Sequence, residues 1–228
     1  MSGGRRVAPT TTRANEDRHE GRGRAYAFGW YCFLALIAVT PLIIGALPRQ
    51  FGQIATFRGF DSVGLPKLVT ILVFGGLSLA ALCVSVLRNE TGLRWHPLLW
   101  VLVAIAGWAG VSALFSASPA LSIMGGYHSN EGLGAIVGYL LVAFLAIQYV
   151  RSTRALRTVF MTAAVAASLV SAYALLQFVG VDPFGWVNET GRVFATLGNP
   201  DMLGTYLVFP VALAAGLALS APHSRGGP

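Results

Sequence analysis

Charge is scarce in this chain. Of its 228 residues 11% are charged and only nine are acidic, where a soluble globular domain carries about a quarter. Hydrophobic residues make up 55% and the mean hydropathy is +0.65. The balance excludes an ordinary soluble enzyme and places the chain among membrane proteins. None of its long apolar runs holds Asp, Glu, Lys or Arg away from its ends. Ion and proton pathways leave such groups at mid-membrane depth, so their lack argues against a pump or coupled transporter. Cysteine is scarce too. Cys32 and Cys83 both fall inside apolar runs with no CxxC or Cys/His spacing, which excludes a disulfide framework and a zinc site. Both are expected to be small buried hydrophobes.

What is present is a series of six apolar runs, at about 28–47, 66–87, 97–115, 133–150, 158–180 and 203–220. Each is near the roughly 20 residues that a spanning helix needs. Ahead of them, residues 1–25 are polar and lack periodicity, as a disordered tail does. The tail holds Arg5, Arg6, Arg13, Arg18, Arg22 and Arg24. The sequence pI near 10.0 therefore reports a topology signal, not a nucleic-acid surface. With the N-terminus inside, the inner segments hold twelve basic residues and the outer ones four, as the positive-inside rule requires. The expected fold is an all-α polytopic membrane protein of about six transmembrane helices, N-in and C-in, with two structured outer loops. Residues 26–220 form the membrane domain and 221–228 a short inner tail.

Small residues predict close helix packing in lipid. Gly134 and Gly138 form a GxxxG pair. Ala163, Ala167 and Ser171 form one ridge, and Ala212, Gly216 and Ser220 another. Pro41 falls deep within the first run, a feature that discontinuous transporter helices share.

Chemistry should lie in the outer loops. In the loop at 116–132, Ser118-Pro119 reads as an N-cap with proline at N1, and Gly125-Gly126 would end the short helix that follows. His128 and Glu131, three residues apart, suit either an acid–base role or a capped turn anchored by Tyr127. In the loop at 181–202, Asp182-Pro183 favours a turn. Asn199 reads as an N-cap, Pro200 as N1 and Asp201 as a carboxylate complementing the helix dipole. Gln177, near the outer end of the fifth run, can bond into this loop or to a neighbouring helix. Arg192 has two readings of equal weight. One is an exposed ion pair with Glu189 or Asp201, worth about 0–1 kcal/mol. The other is recognition of a phosphate or diphosphate, which suits a planar, permanently charged fork.

The two loops carry a series of motifs in order: Gly125-Gly126-Tyr127, Glu131-Gly132-Leu133, Leu176-Gln177, Gly180-Val181-Asp182-Pro183, Gly191-Arg192-Val193-Phe194, Thr196-Leu197-Gly198-Asn199-Pro200 and Leu203-Gly204 before Tyr206-Leu207. Over roughly 116–210 the chain thereby resembles the O-antigen ligase and polymerase family of bacterial integral membrane glycosyltransferases. The resemblance implies transfer of a glycan from an undecaprenyl-diphosphate carrier to an acceptor on the outer face of the inner membrane, in cell-surface polysaccharide assembly. The acceptor is lipid A core, another glycan or a protein, and neither metal nor nucleotide sugar is needed. It implies that Arg192 holds the donor diphosphate; His128, Glu131 and Gln177 are weaker substrate-binding candidates from the residue reading above. The family has about twice this number of spans, so the chain is expected to be an N-terminal portion, with a general-base histidine beyond residue 228. Where relatives often carry arginine before Glu-Gly this chain has Ser129, and where they usually have asparagine after Asn-Pro it has Asp201. Two other readings are a transporter or permease half, for which Pro41 is the feature, and a non-catalytic membrane partner of a glycan-assembly complex.

Overall fold

The computed structural model describes residues 23–45, 63–125, 132–182, 184 and 191–219. Among them 77% are helical and none is in a strand. Seven α-helices follow in order: α1 Arg24–Val39, α2 Gly64–Leu87, α3 Leu98–Leu114, α4 Pro119–Met124, α5 Leu133–Tyr149, α6 Thr153–Phe178 and α7 Pro200–Leu219, with a 3₁₀ turn at Ala195–Leu197 before α7. The described residues thus form an all-helical structure. Two helices, α2 with 24 residues and α6 with 26, are long and apolar enough to cross a membrane. At 1.5 Å per residue they reach about 36 and 39 Å, beyond the roughly 30 Å of a bilayer core.

Local chemistry explains the ends. The first run was expected to stay helical to residue 47, but α1 stops at Val39. Pro41 has no N–H to continue the ladder, and the Thr40 hydroxyl donates instead to the Leu36 carbonyl at 2.6 Å. Pro41 therefore lies beyond the helix, and the proline inside one is Pro210 of α7. α2 ends in a Schellman turn. Asn89, in the left-handed region at φ +56, lets its own N–H reach Val86 O at 3.0 Å and the Glu90 N–H reach Ser85 O at 2.8 Å. α6 starts at Thr153, five residues earlier than expected, because the Ser152 hydroxyl accepts the Ala155 N–H. Ser118 does precede α4, but its side chain makes no cap bond; the Ser116 hydroxyl instead accepts from the Ser118 N–H and the Ser122 hydroxyl.

α1 packs on α2 and α6, while α2 and α3 both pack on α5. The core sits where α1, α2 and α5 meet, around Tyr26, Phe33, Leu82, Leu145 and Tyr149. Two hydrogen bonds cross it: the Ser78 hydroxyl donates to Gly29 O at 2.9 Å, and the Tyr149 hydroxyl to Ser78 O at 3.0 Å. A Cβ on Gly29 would run into that tyrosine hydroxyl. Gly29→Ala is therefore expected to break the Tyr149–Ser78 bond and cost about 1–3 kcal/mol, as overpacking does, read as a lower melting temperature in detergent.

The small-residue expectations divide. Gly138 receives Ile71 and Leu68 from α2, while nothing lies near Gly134. Ala167 is buried, whereas Ala212 and Gly216 of the second ridge are exposed and Ser220 lies outside the described residues. Cys32 is buried as expected; Cys83 is exposed.

One end of the bundle is closed by amides. Gln148, fully buried, accepts the Arg94 N–H at 2.9 Å and donates to the Arg94 carbonyl at 3.0 Å. Arg151 adds bonds to Gln148 O, Thr91 Oγ1 and Gly92 O and lies 5.7 Å from the Tyr26 ring centroid. The other end holds the segments that enter α2, leave α6 and start α7. Residues 1–22 and 220–228 lie outside the described residues, so the expected tails do too, apart from residues 23–25, where Arg24 and Ala25 are helical and not the disordered tail expected.

Candidate functional site

The loop that follows α6 is built on the end of that helix. Tyr173 and Gln177 are one helical turn apart and share a face. Both reach Asp182: the tyrosine hydroxyl donates to Oδ1 and Gln177 Nε2 to Oδ2, each at 2.9 Å. Oδ1 also accepts the Phe184 N–H at 2.9 Å, closing an Asx turn, and Phe184 stacks edge-on against Tyr173 at 5.8 Å. Gln177 was expected to bond to another helix or into the loop. It does the latter: Oε1 accepts the N–H groups of Phe194 at 3.3 Å and Ala195 at 2.7 Å. Two donors on one side and a carboxylate on the other fix the orientation of its amide.

Those two N–H groups belong to a strained turn. Ala195 is fully buried with φ +50, a region in which a Cβ costs about 1–2 kcal/mol. Gly198 follows at φ +75, its missing side chain leaving room for Val63. From below, Thr196 Oγ1 donates to Pro41 O at 2.6 Å. Lys67, half-buried in the first turn of α2, donates from Nζ to Ile43 O at 2.9 Å and Thr196 O at 2.7 Å. One ammonium thus joins the exit of α1, the start of α2 and the loop that carries Arg192. Val170, Ala195 and Leu203 form a small buried cluster beneath the turn.

Past the turn, the Asn199 side-chain oxygen accepts the Asp201 N–H at 2.8 Å, and Pro200 is the first residue of α7. Asp201 and Arg192 face each other at 3.6 Å, with side chains 81% and 66% exposed. An ion pair that open to water contributes little. Of the alternatives for Arg192, the partner seen is Asp201. Glu189, like His128 and Glu131, lies outside the described residues. The site therefore joins Arg192, Gln177, Asn199, Pro200 and Asp201. Lys67, Tyr173, Asp182 and Thr196 are added to it as supporting groups. The Tyr173, Gln177, Asp182 spacing, an i, i+4 pair followed by a turn carboxylate, was the signal for two of them.

At the same end an open cavity of about 880 Å³ lies between α3, α4 and α5. Trp108, Ile105 and Ile136 line it, with Ser112 and Ser122 as its few polar groups, a wall suited to a hydrocarbon chain. Among the described residues no group of three or more His, Cys, Asp and Glu could hold a metal ion. Comparison with protein-family models, with curated proteins and with solved structures finds no match for this chain.

Proposed function

We propose that this chain belongs to an O-antigen ligase-like glycosyltransferase. In this reading it spans the inner membrane about six times, N-in and C-in, and takes part in moving a glycan from undecaprenyl diphosphate to a lipid A core, glycan or protein acceptor on the outer face. One observation carries the reading. An exposed guanidinium is presented by a loop held through Lys67, Gln177 and Thr196, while its own ion pair is long and open. An exposed guanidinium on a rigid loop is what a diphosphate needs. The fork binds phosphate oxygens bidentately, and the positive charge stabilises the departing pyrophosphate without rearranging as charge develops. Asp201 sets a threshold: it holds the fork when the site is empty and is displaced by a dianion of greater charge. The apolar cavity beside α4 suits the prenyl chain of such a donor.

A second reading, a non-catalytic membrane partner, is favoured by the same ion pair, since Asp201 already neutralises Arg192. Native mass spectrometry of the detergent-solubilised chain with undecaprenyl diphosphate separates the two. Arg192→Ala is expected to weaken binding about tenfold, the scale of one charge-assisted hydrogen bond, while undecaprenol binds both proteins alike. Equal affinity of wild type and variant for the diphosphate would rule out the donor role.

A further inference from the structure

α2 and α3 both pack on α5 but scarcely touch each other. The gap between them is an open apolar groove of about 520 Å³. α5 floors it with Val137, Leu141 and Phe144, α2 walls one side with Leu79, and α3 the other with Leu99 and Leu102. Trp95 stands at its mouth, 80% exposed. This is the Gln148 end of the bundle, remote from Arg192, and the chain around the mouth is basic.

Next to Trp95, Arg94 is fixed through its backbone by the buried Gln148 amide. Its guanidinium donates from Nη1 to Val150 O at 3.1 Å, and the residue is exposed. On the other flank His96 accepts the Leu98 N–H at Nδ1, so Nε2 is its donor. Arg88 caps α2 on the same loop and is exposed. The loop's acidic residue, Glu90, is turned away: its carboxylate lies against Gly23 at the start of α1. Arg151 follows on the neighbouring connection, and Arg154 and Arg157 in the first turns of α6.

We infer that this groove is a binding site for an anionic phospholipid, with one acyl chain between α2 and α3, the Trp95 indole at the glycerol level and the phosphate on Arg94 and His96. The inference rests on the bilayer reading and is independent of glycan transfer. An apolar slot alone would accept any acyl chain. The fixed guanidinium, the imidazole donor and the diverted Glu90 select negative charge, and indole rings settle at the headgroup level.

Tryptophan quenching by lipids brominated on their acyl chains tests it, in full-length chains keeping only Trp95 or only Trp108 and reconstituted in vesicles. At Trp95, brominated phosphatidylglycerol is expected to outcompete brominated phosphatidylcholine about fivefold, the ratio that one basic residue gives at about 1 kcal/mol. At Trp108, exposed on α3, the two should quench alike. Arg94→Gln should abolish the preference at Trp95. Arg94→Lys, which keeps the charge, should retain it, so that a general loss of fold is told apart. Equal quenching of Trp95 by both lipids, a preference that survives Arg94→Gln, or a Trp95 shielded from both lipids as by a second copy of the chain would overturn the site. Absence of quenching at both tryptophans would overturn the bilayer reading and the site with it.

Discussion

Replacing Lys67 by methionine is expected to loosen the Arg192 loop and destabilise the chain by about 3 kcal/mol. Methionine matches the length of the side chain but donates nothing, so the carbonyls of Ile43 and Thr196 lose their donor. A hydrogen bond to a charged group is worth about 1.5–3 kcal/mol, and a buried acceptor left empty adds its desolvation cost. The two bonds act on one rigid junction, so their losses are not additive. Two measurements check the result. The melting temperature in detergent should fall, and trypsin should cut faster after Arg192, which is exposed and lies three residues before the 3₁₀ turn. Lys67→Arg tests whether charge alone suffices: the wide guanidinium cannot place one nitrogen between two carbonyls as an ammonium does, so it should rescue the protein only in part. Unchanged melting and cleavage in Lys67→Met would show that the turn is held by the remaining bonds alone.

The helices were legible in the sequence because their signal is local. Each apolar run became a helix, since apolar length and composition act within the segment itself. Helix ends were less legible, because they depend on single hydrogen bonds. Thr40 and Pro41 shorten α1, and Ser152 extends α6 backwards. The Asn199-Pro200-Asp201 start of α7 could be read because a cap is a three-residue motif. The clamps could not. Gln148 meets Arg94 across 54 residues, and Lys67 meets Thr196 across 129. No periodicity encodes such a pairing. A lysine at the start of an apolar run reads as a topology marker until the loop that it supports is folded onto it. Arg192 stood out by its position alone, and its partner Asp201 was one of two carboxylates within reach. Which of several small-residue ridges would be used was equally hidden, because GxxxG describes one helix and packing needs two.

Gln177 is the position where substitution should separate architecture from recognition. Gln177→Leu removes the acceptor for the N–H groups of Phe194 and Ala195 and one donor to Asp182. The strained Ala195 then loses the bond that offsets its positive φ. A loss of about 3 kcal/mol is expected, from two orphaned amides at about 1–3 kcal/mol each with partial relaxation. Gln177→Glu keeps the shape and the acceptor but turns the donor towards Asp182 into an oxygen. It can bond that carboxylate only while it holds a proton. The two carboxyls must share a proton, which is held in acid and given up as pH rises, and the stability that the shared bond restores is lost with it. Relative to wild type, Gln177→Glu should be close to native in acid and destabilised at neutral pH. Gln177→Leu should be destabilised at both. Melting curves of the three proteins between pH 4 and 8 decide it, and a flat difference between Gln177→Glu and wild type would mean that Gln177 and Asp182 do not share a hydrogen bond. Arg192→Ala supplies the contrast. Its ion pair is exposed, so it should leave the melting temperature nearly unchanged while weakening diphosphate binding. If the two substitutions divide in this way, Gln177 holds the loop and Arg192 acts from it.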